Sequence, residues 1–340
     1  MVLKKHVFCV DSHTAGEPTR VVISGFVWKK CDTMAEKMAY FKEKYDHVRK
    51  AVVLEPRGYI EIVGAVLSEP CDPRADVGVF YIESGGCLNM CGHGTIGTVT
   101  TLVEMGMIES RPGETVTVKL DTPAGLITTY AAVSPDGDKV DSVSFDNVPS
   151  FVYKADQHVY LDGFGDVKFD LCFGGSFFAA IPIDQFDMEL LPANSVRLTE
   201  MGMRIRRIIN DTIPVQHPLR PSIKTVDLCN FYRLDLEHGK FHTIVIFGDG
   251  QVDRSPCGTG TSAMSALLYT RGLLKVGDEI IAQSVLGTQF RGKVLEAVDE
   301  AGYQAIIPRI TGTAFLVGTN QLLIDERDPF REGFILNQHK

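Results

Sequence analysis

Asn89-Met90-Cys91-Gly92-His93-Gly94-Thr95 and, later in the chain, Ser255-Pro256-Cys257-Gly258-Thr259-Gly260-Thr261 are two versions of one stretch. With Cys257 laid under Cys91, the cysteine, both glycines and the threonine coincide. Leu268 then falls under Leu102 and Gly272 under Gly106. Each version has a cysteine, a glycine-rich turn, an amphipathic run and a closing glycine. The pattern predicts a strand-to-helix corner, with the cysteine at the helix start and the glycine just past its end. A helix start carries unsatisfied N–H groups and the positive end of the peptide dipoles. Both favour a bound carboxylate and a thiolate. Two such corners facing one carbon would be enough to invert a stereocentre: one sulfur takes a proton, the other returns one from the opposite side.

Around the corners the chain reads mostly as strands. They are expected over 6–10, 21–27, 51–54, 60–67, 77–82, 115–118, 126–132, 142–145, 167–172, 223–232 and 242–247, then 279–285, 304–307, 313–317 and 322–324. A polar loop is expected over 11–20 and a turn over 55–58. Asp32 is placed as the cap of a helix with Met34, Met38, Phe41, Tyr45 and Val48 on one face, and a further amphipathic helix is expected over 198–210. The fold class is α+β: two similar α/β halves, each a mixed, mostly antiparallel sheet wrapped on a central helix. Residues 1–125 with about 310–340 form the half carrying Cys91, and about 126–309 the half carrying Cys257. The active site is expected in the cleft between the halves.

Composition narrows the function classes. The chain has 340 residues and a net charge of −9, which argues against nucleic acid or an anionic membrane as partner. No apolar run reaches the length of a membrane span. The basic start at Met1–His6 is followed by too short an apolar stretch for a signal peptide, so the expected location is the cytoplasm. The eight cysteines are scattered and read as reduced thiols, with Cys9, Cys172 and Cys229 as small core residues.

Other readings of the motifs are weaker. Cys87, Cys91 and His93 lack the second ligand pair that a structural zinc needs, so no metal is expected. Gly92-x-Gly94-x-x-Gly97 has the dinucleotide spacing but no strand directly before it, and that reading leaves the second copy unexplained. Asp11, Ser12 and His13 are consecutive, which suits a structural loop better than a hydrolase triad. Arg57 and Arg254 read as structural ion pairs. Asp253, four residues before Cys257, reads as a carboxylate for a substrate ammonium. No lysine has the context of a pyridoxal site.

The segments 11–20 (DSHTAGEPTR), 54–58 (LEPRG), 88–97 (LNMCGHGTIG), 174–179 (GGSFFA) and 251–263 (QVDRSPCGTGTSA) together resemble the proline racemase family, whose fold is that of diaminopimelate epimerase. The resemblance implies a two-base isomerase without a cofactor, in which Cys91 and Cys257 exchange roles as acid and base. It implies a substrate carboxylate held by the N–H groups of Gly92, His93, Gly258 and Thr259, and a ring nitrogen held by Asp253 with His93. It also implies a homodimer.

Within the family, trans-3-hydroxyproline dehydratases carry Thr at the position of Cys257, which leaves proline racemase and 4-hydroxyproline 2-epimerase. Asn89, Ala15, Ser176-Phe177 and Gln251-Val252 lean toward proline. So does Leu228, where hydroxyproline epimerases tend to place a His. Cys87 stands where a tyrosine is expected in either subgroup, and Gln289 is polar where proline enzymes often have an apolar side chain. The other class is a non-catalytic amino-acid-binding protein on the same fold.

Overall fold

The structure is a computed structural model that describes residues 5–221 and 223–336. The start at Met1–Lys4 lies outside them. Two units are resolved by their internal packing: Met1–Phe145 with Gly312–Lys340, and Asp146–Thr311.

The first unit begins with β1 (Lys5–Thr14) and β2 (Glu17–Ser24). Residues 11–20 are therefore not a loop. The chain stays extended and reverses at Ala15-Gly16, with φ of 53° and 97°. Positive φ at both central residues matches the twist of the flanking strands. The polar residues stay in the hairpin because they pair: Arg20 donates to both carboxylate oxygens of Asp11 at 2.8 and 2.7 Å.

Helix α1 (Met34–Val53) is capped by Thr33 rather than Asp32, the Thr33 hydroxyl accepting the Glu36 N–H at 3.2 Å. It runs on through the apolar residues expected as a strand from 51. Ala51, Val52 and Val53 are the buried end of the helix, and so short an apolar run has no period to tell strand from helix. Then come β3 (Val63–Ser68), β4 (Val77–Ile82), the two-residue β5 (Cys87–Leu88), α2 (Gly92–Glu104), β6 (Thr115–Thr122), β7 (Gly125–Val133) and β8 (Val140–Asp146). The sheet order is the last strand of the chain (Ala314–Ile324), then β1, β2, β3, β4, β6, β7 and β8. Only β2–β3 and β4–β6 are parallel pairs. The unit boundary falls after 145 rather than near 125, because β7 pairs with β6 from end to end and β8 with β7.

The second unit repeats this path. It contains β9 (Ser150–Leu161), β10 (Gly165–Phe173), β11 (Phe177–Pro182), α3 (Ser195–Thr212), β12 (Val226–Asp235), β13 (Lys240–Phe247), β14 (Gln251–Asp253), α4 (Gly258–Thr270), β15 (Glu279–Ser284), β16 (Gln289–Glu300) and β17 (Tyr303–Gly312). The last strand of the chain, Ala314–Ile324, is β18. It is one strand where two short ones were expected; β9 and β16 went unread, and β17 is longer than the run expected over 304–307. The order β9, β10, β11, β12, β13, β15, β16, β17 matches that of the first unit strand for strand. Here β17 pairs back on β9, closing the sheet around α4. The parallel pairs are again the third and fifth steps, β11–β12 and β13–β15.

Helices α2 and α4 are the axes of the two units. From Gly92 to Val103 every residue of α2 is buried, and α4 is buried from Gly260 to Leu268. They are thus apolar or small all round, not amphipathic as expected, which is the pattern of a helix enclosed by a sheet. Both end in the same way. Gly106 (φ 68°) donates to Val103 and Met107 to Leu102; Gly272 (φ 71°) donates to Tyr269 and Leu273 to Leu268. This is the glycine-terminated cap that the aligned glycines predicted.

Candidate active site

The two cysteines are the N-cap residues of two 13-residue helices. In the first unit, the first intrahelical bond is Thr95 N–H to the Cys91 carbonyl at 2.9 Å, so the N–H groups of Gly92, His93 and Gly94 point out of the helix start. In the second, Thr261 N–H meets the Cys257 carbonyl at 2.7 Å, and Gly258 and Thr259 are left in the same way. Each half therefore presents two or more oriented donors beside a sulfur.

The third helix residue is glycine in both copies because the sulfur occupies the space of its side chain. A Cβ on Gly94 would lie 3.2 Å from Cys91 Sγ and 2.8 Å from the Tyr81 ring; one on Gly260 would lie 3.2 Å from Cys257 Sγ. The third dinucleotide-like glycine, Gly97, is explained by packing. A Cβ there would meet Ser12 Oγ at 3.0 Å and Thr19 on β2 at 3.1 Å.

The surroundings of the two sulfurs differ. Cys91 Sγ lies 3.5 Å from His93 Nδ1, and Thr14 Oγ1 donates to the His93 carbonyl at 2.9 Å. Burial pushes the His93 imidazole down to about 4, opposed in part by the Pro18 carbonyl facing the ring, so it is neutral at physiological pH. Tyr81 closes the floor, its hydroxyl 2.7 Å from Thr95 Oγ1.

Cys257 has φ 63° and ψ 110°, a left-handed backbone in a residue with a Cβ. Its Sγ accepts the Gly260 N–H at 3.3 Å and faces Thr259 Oγ1 at 3.5 Å. Burial, and then the neighbouring Asp253, push its thiol well above the ordinary range. Asp253, at the end of β14, is itself pushed up to about 6 by burial, against the lowering effect of bonds from Ser255 and Cys257. The Ser255 N–H, at 2.8 Å, and O–H, at 2.6 Å, both fall on Asp253 Oδ1.

Other motif residues support these starts. A Cβ on Gly174 would lie 2.2 Å from the Thr259 carbonyl, and Asn147 Nδ2 bridges the Gly174 carbonyl and Ser262 Oγ at 2.8 Å each. The glycine pair is what lets strand β10 turn against the first turn of α4. Leu228 on β12, opposite Phe178, packs on the apolar cluster that contains Cys257.

His13 takes the Gly16 N–H on Nδ1 at 3.3 Å while Asp11 holds Arg20, so the consecutive trio divides its partners within the hairpin instead of forming a relay. Arg57 pairs with Asp328 at 3.4 Å and donates to the Phe330 and Arg331 carbonyls, fastening the C-terminal segment. Arg254 donates to the Val252 carbonyl at 3.0 Å. Ser255, Tyr81 and Thr14 were missed by sequence reasoning. Only Ser255, within a quoted motif and two residues from each of its partners, carried a local signal. All eight cysteines are free thiols. Among the described residues no cluster of His, Cys, Asp or Glu could hold a metal ion, and no helix is long and apolar enough to cross a membrane.

Comparison with known proteins agrees with the geometry. The proline racemase family matches residues 9–335. The proline racemase of Clostridioides difficile is 47% identical over 338 residues, covering 99% of this chain and all (100%) of that protein. The 4-hydroxyproline 2-epimerase of Streptosporangium roseum is 42% identical over 335 residues, covering 98% of this chain and 99% of that one. The crystal structure of a hydroxyproline epimerase from Agrobacterium vitis, with bound trans-4-hydroxy-L-proline, superposes with a TM-score of 0.90 at 36% identity, covering 99% of this chain and 97% of that one. The α+β fold with a central helix in each half is thus that of the diaminopimelate epimerase-like enzymes. With nearly its whole length matched and relatives above 40% identity from end to end, the chain belongs to the proline racemase family and is an isomerase of the racemase and epimerase class.

Proposed function

We propose that the enzyme interconverts L- and D-proline by a 1,1-proton transfer between Cys91 and Cys257. The observation that carries this reading is the matched pair of N-cap sulfurs, each followed by Gly-x-Gly-Thr and each beside outward-pointing helix-start N–H groups.

The α-proton of an amino acid is very weakly acidic, so the transition state gathers negative charge on the carboxylate. The N–H groups of Gly92 and His93, and of Gly258 and Thr259, meet that charge, each such donor contributing about 3 kcal/mol. The Asp253 carboxylate pairs with the ring ammonium, aided by neutral His93. One sulfur, as thiolate, removes the α-proton from one face; the other, as thiol, delivers its proton to the opposite face. The pair ends with its protonation exchanged and must be reset before the next turnover in the same direction. The two thiols therefore titrate as a coupled system.

Proline is favoured over 4-hydroxyproline because Leu228 offers a 4-hydroxyl no partner, and an unpaired buried hydroxyl is strongly disfavoured. The same reading takes the enzyme as a cytoplasmic homodimer, which sedimentation and fractionation test.

Incubation with L-proline in heavy water is expected to label the α-carbon as the optical rotation decays to zero. Cys91→Ser and Cys257→Ser are each expected to lower racemisation by at least about a thousandfold with the fold intact. Unlabelled proline, or an active single variant, sinks the two-base scheme.

A further inference from the structure

Ser255 is 1% exposed, and its N–H and hydroxyl are both spent on the site. Its N–H and O–H both reach Asp253 Oδ1, at 2.8 and 2.6 Å, and its Oγ accepts the Cys257 N–H at 3.1 Å. One side chain therefore links the carboxylate to the backbone of the strained cysteine. With Oδ1 doubly bonded, the carboxylate is left with Oδ2 as the oxygen that neither Ser255 bond engages.

Resting on the reading above, we propose that Ser255 is a positioning residue for the isomerisation. It turns Asp253 so that Oδ2 meets the substrate's ring ammonium, and it holds Cys257 in the left-handed backbone that aims Sγ from the helix start.

Two consequences follow from the same bonds. A free carboxylate spends part of its time in unproductive rotamers, whereas a doubly anchored one has its orientation set before substrate arrives. The Ser255 bonds also favour the ionised form of Asp253 and offset part of its burial. The titratable groups facing Asp253 are Cys257 and Arg254. The neighbouring strand β13 sets Val245 opposite it, and from α3 Thr199 and Met203 stand nearest Gly250 while Arg206 donates to the Gly248 carbonyl.

The test compares Ser255→Ala, Ser255→Thr and Asp253→Asn by racemisation of proline across pH, with the thermal midpoint of each. Ser255→Ala is expected to lose about 10- to 100-fold in kcat/KM. The limb that Asp253 sets, at about 6 in the parent, is read from the pH dependence of L-proline binding in a Cys91→Ser, Cys257→Ser background, where neither site thiol titrates, and is expected to move upward because the neutral carboxyl is now less disfavoured. Ser255→Thr keeps Oγ and is expected to restore the parent limb. Should Ser255→Ala not fold, Ser255→Thr carries the test alone: its limb in the parent position supports the role, and a displaced limb overturns it. A Ser255→Ala enzyme with an unmoved limb overturns the inference, whatever its rate. Asp253→Asn separates the two levels. If it stays fully active, the reading of the site is wrong; if it is inactive while Ser255→Ala matches the parent, only the role of Ser255 is wrong.

Discussion

Gly260 is the position where a single methyl group should separate activity from stability. It is interior to α4, where Ala is favoured over Gly by about 1 kcal/mol. Its new Cβ would lie 3.1 Å from Cys257 Cβ, 3.2 Å from Cys257 Sγ and 3.4 Å from the Phe178 ring. Ordinary contacts of this kind are about 3.5–4.0 Å, so the sulfur must retreat by about 0.5 Å or change rotamer. The movement also spoils the bond from Gly260 N–H to Sγ, now 3.3 Å. Relief of this crowding costs about as much as the helix gains, so the thermal midpoint of Gly260→Ala should stay within about 3 °C of the parent. The rate should not survive as well. A displacement approaching 1 Å at a reacting atom can cost about a hundredfold, so kcat should fall about 10- to 100-fold with KM changed far less. Polarimetry on both proline enantiomers, beside a melting curve, makes the measurement. Wild-type kcat would show that the sulfur position is not what the glycine protects. A midpoint far below the parent would show that the contact distances misjudge the packing.

The equivalent Gly94→Ala should behave differently, since its Cβ would come within 2.8 and 2.9 Å of the buried Tyr81 ring, which is tied to Thr95; it should melt several degrees lower as well as lose activity. Leu228→His should gain epimerisation of trans-4-hydroxy-L-proline and lose proline turnover, each by about tenfold or more, measured by polarimetry on both substrates. His217 is buried between Phe151, Phe173 and Phe177, and burial, with Arg220 beside it, holds its imidazole down to about 4. A lowered value means that the native state refuses a proton that the unfolded chain accepts. The stability this group contributes is full above pH 6.5 and is lost as pH falls toward 4. His217→Phe should therefore show a shallower decline of melting temperature over that window, and an unchanged slope would contradict the assignment.

The placement of the candidate site was legible because it is local. Cys91 with His93, and Asp253 with Cys257, are close in sequence, and their positions follow from where a helix must begin. Closing glycines at 106 and 272 announced both helix ends for an equally local reason: only glycine enters the left-handed cap without strain. The misreadings share a different cause. Residues 11–20 look like a loop until Asp11 and Arg20 are seen to satisfy each other across the hairpin. Residues 51–54 look like a strand until 51–53 are seen buried as the last turn of α1, with Leu54 as its extended cap. Helices α2 and α4 look one-sided until strands are found on all sides of them.

From the sequence alone came the doubled cysteine corner, the family, and the kinds of residue the chemistry needs, since each depends on identities and short spacings. Only the folded chain decided the strand order in each unit, the enclosure of α2 and α4, and the assignment of Ser255, Tyr81 and Thr14 to the cysteines. Those depend on which distant segments are pressed together. Short-range patterns carry no record of that, because burial is a property of the whole packing rather than of any stretch within it.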